Sequence, residues 1–99
     1  MIIVTGTATA RPDSFEALLQ ASLDHVQRSR TEDGCISHAV QVDAEDPLTL
    51  VFFERWRDMA ALQLHFRQPG SAEFMDAIKA YAARPGTLDL YTASPIERR

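Results

Sequence analysis

Two strand-like runs, "CISHAVQV" at residues 35–42 and "LTLVFFERW" at residues 48–56, are joined only by the acidic linker "DAEDP". A connection that short between two β-rich runs makes them an antiparallel pair, and everything else in the chain must be arranged around that hairpin. Alternation puts Ile36, His38, Val40 and Val42 on one side of the first strand. In the second strand Leu50, Phe52, Glu54 and Trp56 share one face, while Val51, Phe53 and Arg55 share the other. A carboxylate among such apolar neighbours must be paired or sit near an open end.

The flanking segments read as a strand and helix on one side and helix and strand on the other. "IIVTGTATA" (2–10) alternates, with Ile2, Val4, Gly6 and Ala8 opposite Ile3, Thr5, Thr7 and Thr9; Gly6 weakens the strand and marks a bulge or a close approach. The following helix has Asp13 as its expected N-cap with Glu16 in capping-box spacing, and an apolar stripe of Phe15, Leu18, Leu19, Ser22, Leu23 and Val26. His25, beside Val26, is expected to be partly exposed. After the hairpin, a short helix capped by Asp58 is expected to stop at Pro69-Gly70. A second helix then carries Phe74, Ile78 and Tyr81 on one face, and "TLDLYTA" forms a last strand.

The order strand, helix, strand, strand, helix, strand predicts an α+β chain with the ferredoxin-like split β-α-β arrangement: an antiparallel four-stranded sheet with the helices on one face. The chain is expected to be a single domain over residues 1–99, with an ordered core of about 2–93 and a polar tail. The other sheet face, with Val51 and Phe53, is apolar and uncovered. A homodimer stacked sheet on sheet is the natural cover, giving a dimeric α+β barrel.

The balance of charge narrows the function. A net charge of -4 with scattered Lys and Arg argues against a nucleic-acid partner. No apolar run approaches membrane-spanning length, so no membrane partner is expected. With a lone Cys35 and no leader-like N-terminus, a cytoplasmic location is expected. His25, His38 and His65 have no carboxylate or cysteine partners at ligand spacing, so no metal site is expected. There is no phosphate-binding glycine loop either.

Residues 32–66, "EDGCISHAVQVDAEDPLTLVFFERWRDMAALQLHF", resemble the central motif of the antibiotic biosynthesis monooxygenase (ABM) superfamily. The likeness is carried by Gly34-Cys35, the acidic hairpin ending at Pro47, Glu54-Arg55-Trp56, and the Ala61-Leu62-x-x-His65 helix. It implies a pocket between sheet and helices of a dimeric barrel like that of the small quinol monooxygenases. The implied reaction is oxidation of a quinol or polycyclic phenol by molecular oxygen without a cofactor. An electron-rich phenolate supplies its own electrons, so the protein must bind it, deprotonate it and exclude water.

Carried onto this chain, the likeness makes His65 and Glu54 the candidate catalytic acid-base groups. Trp56, Phe52, His38, Leu62 and Tyr81 are the candidate substrate contacts. Phe52 and Leu62 occupy places where polyketide-oxidising members carry asparagine and tyrosine, and the residues used by haem-degrading members are not matched. An isomerase or lyase acting on a small oxygenated metabolite, and a non-catalytic small-molecule-binding module, are the alternatives on the same fold.

Overall fold

The computed structural model describes residues 1–98. Its elements are β1 (Ile2–Thr9), α1 (Phe15–Ser29), β2 (Cys35–Val42), β3 (Thr49–Trp56), α2 (Met59–Phe66), α3 (Pro69–Tyr81) and β4 (Thr87–Thr92). The strands form one antiparallel sheet in the order β2-β3-β1-β4, the α+β ferredoxin-like arrangement expected from the order of elements. Among the described residues no helix is long and apolar enough to cross a membrane. Residues 93–98 follow β4 as an irregular tail, and Arg99 lies outside the described residues.

The two faces of β1 and β3 separate as their alternation predicts. Ile2, Val4 and Trp56 pack with Ala61 and Leu62 of α2 in one core cluster. Ala8, Leu50 and Phe52 pack with Leu18 of α1 in a second, joined at its edge by Phe74, Ile78 and Tyr81. The opposite face is left without helices, and Phe53 is 45% exposed there. At the β4 edge even the helix side is open, with Leu88 and Leu90 exposed.

Four local readings are corrected. Ile36 does not share a face with His38, because a bulge between Cys35 and Ser37 inserts it as an extra residue. Cys35 therefore packs against the Trp56 cluster while Ile36 is exposed. The residue at the N-cap of α1 is Ser14, not Asp13, and it makes no side-chain cap bond. Its hydroxyl instead donates to the Tyr81 carbonyl at 2.6 Å, tying the start of α1 to the end of α3.

Leu23 is exposed, and the buried line of α1 runs through Leu18, Ser22, His25, Val26 and Ser29. Ser22 and Ser29 lie against the core because each hydroxyl donates to the carbonyl one turn earlier, at 2.7 and 2.6 Å. Pro69 begins α3 rather than ending α2. It stands in the first turn, where a missing N–H leaves no intrahelical bond unmade. Asp58 caps α2 as expected, its carboxylate accepting from the Ala61 N–H at 2.9 Å.

Two glycines matter for what surrounds them. Gly34, with φ of +85°, makes the turn into β2, and a Cβ there would meet the Ala61 methyl at 2.5 Å. Gly6 lies in regular pairing between Phe52 and Leu88 with no bulge in its strand, so the close approach is the correct alternative. A Cβ on Gly6 would sit 3.0 Å from the Thr87 carbonyl oxygen.

Candidate functional site

A cavity of about 410 Å³ opens between the β1–β4 half of the sheet and helices α2 and α3. Gly6 and Ala8 give it room on the sheet side. Phe52, Phe74, Ile78 and Leu88 supply apolar walls, and Phe66 and Met75 also line it. Its chemically able groups are His25 from α1, Glu54 from β3 and His65 from α2, together with Ser71. The Ser71 hydroxyl is already committed, donating to the His65 carbonyl at 2.6 Å.

Behind this polar set lies a connected network. Glu54 is buried, and its Oε1 accepts the Trp56 indole N–H at 2.9 Å. The same oxygen lies 3.2 Å from His38 Nε2, although off-line, so neither ring nitrogen of His38 makes a well-formed hydrogen bond among the described residues. His65 donates from Nδ1 to Glu32 Oε1 at 2.9 Å and lies against Trp56, with ring centroids 4.6 Å apart. His25 stacks on Phe74 at 4.2 Å, and its Nδ1 accepts from Arg28 Nη2 at 3.2 Å. Arg28 holds its place by a shorter bond to the Gly70 carbonyl, 2.7 Å.

Burial, and after it the neighbouring His38, His65 and Arg28, push the His25 pKa from an ordinary 6.5 down to about 3. Burial pushes Glu54 up, but His38 and then the Trp56 indole outweigh it and hold the carboxyl below the usual range. Both shifts act in one direction. Between pH 6.5 and about 3 the unfolded chain binds a proton at His25 that the folded chain refuses, so stability is complete above 6.5 and falls with pH. Glu54 adds a loss at still lower pH, as it protonates. The urea midpoint is therefore expected to drop between pH 7 and pH 5. The limiting slope is about 1.4 kcal/mol per pH unit for one group, and it should be shallower in His25→Gln.

Of the residues singled out in the sequence, Phe52, Glu54 and His65 line the cavity. His38 and Trp56 lie behind them, connected through Glu54. Leu62 is fully buried in the cluster with Ile2, Val4 and Trp56 and does not reach the cavity. Tyr81 packs at the edge of the second cluster and is not in the lining either. His25 is a correction: it is buried and faces the cavity rather than solvent. Glu32 and Arg28, which orient two of the imidazoles, were not singled out. Among the described residues, the side chains grouped closely enough to hold a metal ion are His25, His38 and His65, brought together from three elements despite their wide sequence spacing.

This arrangement belongs to a known structural group. The family model described as "Antibiotic biosynthesis monooxygenase" (ABM) matches residues 1–89. The uncharacterized protein sll1783 of Synechocystis sp. is 34% identical over 90 residues, covering 91% of this chain and 61% of that protein. The chain thus spans less than two thirds of that relative's length. A crystal structure described as an antibiotic biosynthesis monooxygenase superimposes with a TM-score of 0.88 at 29% identity, covering 96% of this chain and all of that one. A Deinococcus radiodurans structure given the same family designation has a TM-score of 0.93 at 27% identity, covering 100% of this chain and 98% of its own. On these grounds the chain belongs to the antibiotic biosynthesis monooxygenase family.

Proposed function

We propose that this protein oxidises a quinol or polycyclic phenol with molecular oxygen in the cavity beside His65 and Glu54. The observation that carries the reading is an apolar slot, walled by Phe52, Phe74, Ile78 and Leu88, whose titratable groups are Glu54, His65 and His25. Its size lies within the range of pockets for small organic ligands. A hydroquinone plus one O2 gives a hydroxyquinone plus one water, so the substrate supplies all the electrons and no outside reductant is required.

His65 is suited to take the first proton. Its Nδ1–H is held by Glu32, which leaves Nε2 with a free lone pair and places a carboxylate where the imidazolium would form. Glu54 Oε1 accepts from the Trp56 indole and faces His38 Nε2, which leaves its second oxygen for a substrate hydroxyl. The resulting phenolate, shielded by the aromatic and aliphatic walls, transfers electrons to oxygen.

The test is oxygen uptake against a panel of hydroquinones and anthrones. One O2 consumed per substrate supports the reading; no uptake on any member overturns it. In that case, proton exchange at a substrate carbon without oxygen consumption would favour the isomerase alternative, in which His65 and Glu54 act as acid and base.

The reading includes a homodimer. Phe53 and Tyr91, 45% and 53% exposed, lie on the helix-free sheet face with Val51, a surface that a second copy would cover. Phe53→Glu is expected to shift sedimentation from dimer to monomer, because it places two like charges in a desolvated contact. A wild-type monomer at micromolar concentration would remove the dimer from the account.

A further inference from the structure

We propose that His25, His38 and His65 form a binding site for one divalent first-row transition cation, with an open coordination position toward the cavity. The inference does not rest on quinol oxidation, which needs His65 Nε2 free as the base and so belongs to the metal-free protein; it follows from how the three rings are placed. One nitrogen of each lies within 4.8 Å of the others, and the residues are only 4%, 2% and 3% exposed. The ring centroids are 5.3 Å apart for His25 and His38, 5.2 Å for His25 and His65, and 5.7 Å for His38 and His65. Three imidazoles around one tetrahedral ion with metal–nitrogen bonds of about 2.1 Å place their centroids roughly 5.2 Å apart. The ring spacing is that of an occupied site, while the nitrogens, up to 4.8 Å apart, would have to draw in to about 3.4 Å by ring rotation as an ion binds.

A second observation points to a ligand. His38 is sealed from solvent, yet among the described residues Nδ1 has no partner and Nε2 has only the off-line Glu54 contact. A buried imidazole left without good hydrogen bonds carries a desolvation cost that ligation would remove. The carboxylates complete the pattern. Glu32 holds His65 Nδ1 and Glu54 approaches His38 Nε2, leaving His65 Nε2 and His38 Nδ1 as donors to an ion. Carboxylates backing metal-bound imidazoles orient the rings and raise their basicity.

Arg28 opposes the ion, since it donates to His25 Nδ1. That contact, at 3.2 Å, is the longer of its two, and the 2.7 Å bond to the Gly70 carbonyl remains when it opens. The chemistry of the donor set, three neutral nitrogens with carboxylates behind, favours zinc, cobalt, nickel, copper or iron over magnesium or calcium. Because His25 and His65 both line the cavity, a bound ion would present its fourth position to whatever oxygen ligand enters.

The experiment is titration of the chelator-treated protein with Co2+, followed by the visible d–d bands of a tetrahedral site, and with Zn2+ by calorimetry. One saturable equivalent is expected, with affinity at least about 100-fold lower in His38→Ala and about 10- to 100-fold lower in Glu32→Gln. Arg28→Gln should bind more tightly than wild type. Absence of a saturable Co2+ band, or binding unchanged in both Glu32→Gln and His38→Ala, overturns the site. Glu32→Gln decides the matter if His38→Ala does not fold, because Glu32 touches the cluster only through His65 Nδ1. No substrate is present in the titration, so its outcome is independent of whether any quinol is oxidised.

Discussion

His65→Ala is expected to lower kcat/KM for quinol oxidation by about 100-fold or more, the usual worth of a positioned general base. The wild-type ring offers Nε2 to the cavity because Glu32 occupies Nδ1. Alanine removes the base and leaves Glu32 with no imidazole to pair. The loss should fall mainly on kcat, since the apolar walls that bind the ring system are untouched. The measurement is steady-state oxygen uptake, with circular dichroism to establish that the variant is folded. Full activity in the variant would take His65 out of the mechanism.

The second large effect is on stability. Glu54→Ala is expected to cost roughly 3 kcal/mol, read as a drop in urea midpoint at pH 7, because it strips a buried network of its acceptor. Trp56 Nε1–H would be left inside the core with no partner, and His38 would lose its one polar neighbour on Nε2. Glu97, exposed in the tail, is the control: Glu97→Ala should leave the midpoint where it was. A loss no greater than that of Glu97→Ala would mean that the carboxylate is dispensable to the fold, and its burial would need another explanation.

The strand faces could be read from the sequence because alternation is a rigid rule. Once Leu50, Phe52, Glu54 and Trp56 were assigned to one side, their common burial followed. The bulge at Ile36 broke that rule in β2, and isoleucine is so suitable for a strand that nothing local marks it as the extra residue. Helical periodicity has a different limit. It places Leu62 and Tyr81 on inward faces but does not say whether an inward residue meets a wall or a void. Both turned out to be packing residues.

His25 shows how a signal can be present and misread. It stands in line with Leu18, Ser22 and Ser29, but two of those positions are serines and look like a solvated face. Their hydroxyls satisfy carbonyls of their own helix, so the face is buried despite its composition. The cluster of three histidines was hidden for a tertiary reason. Its members come from α1, β2 and α2, and only the packing of both helices over the sheet brings the rings within 5.7 Å of one another.

The central claim is that the cavity beside His65 and Glu54 is where oxidation occurs. Ala72, an exposed residue of α3, lines that cavity and belongs to neither core cluster, so Ala72→Trp can fill the space without disturbing them. Oxygen consumption by wild type and Ala72→Trp, side by side on the best quinol of the panel, tests the claim most directly. The account predicts uptake by the wild type and at least about a tenfold loss in the variant at unchanged melting temperature, since a blocked pocket cannot hold the substrate for reaction. Uptake that survives the filled cavity would contradict it.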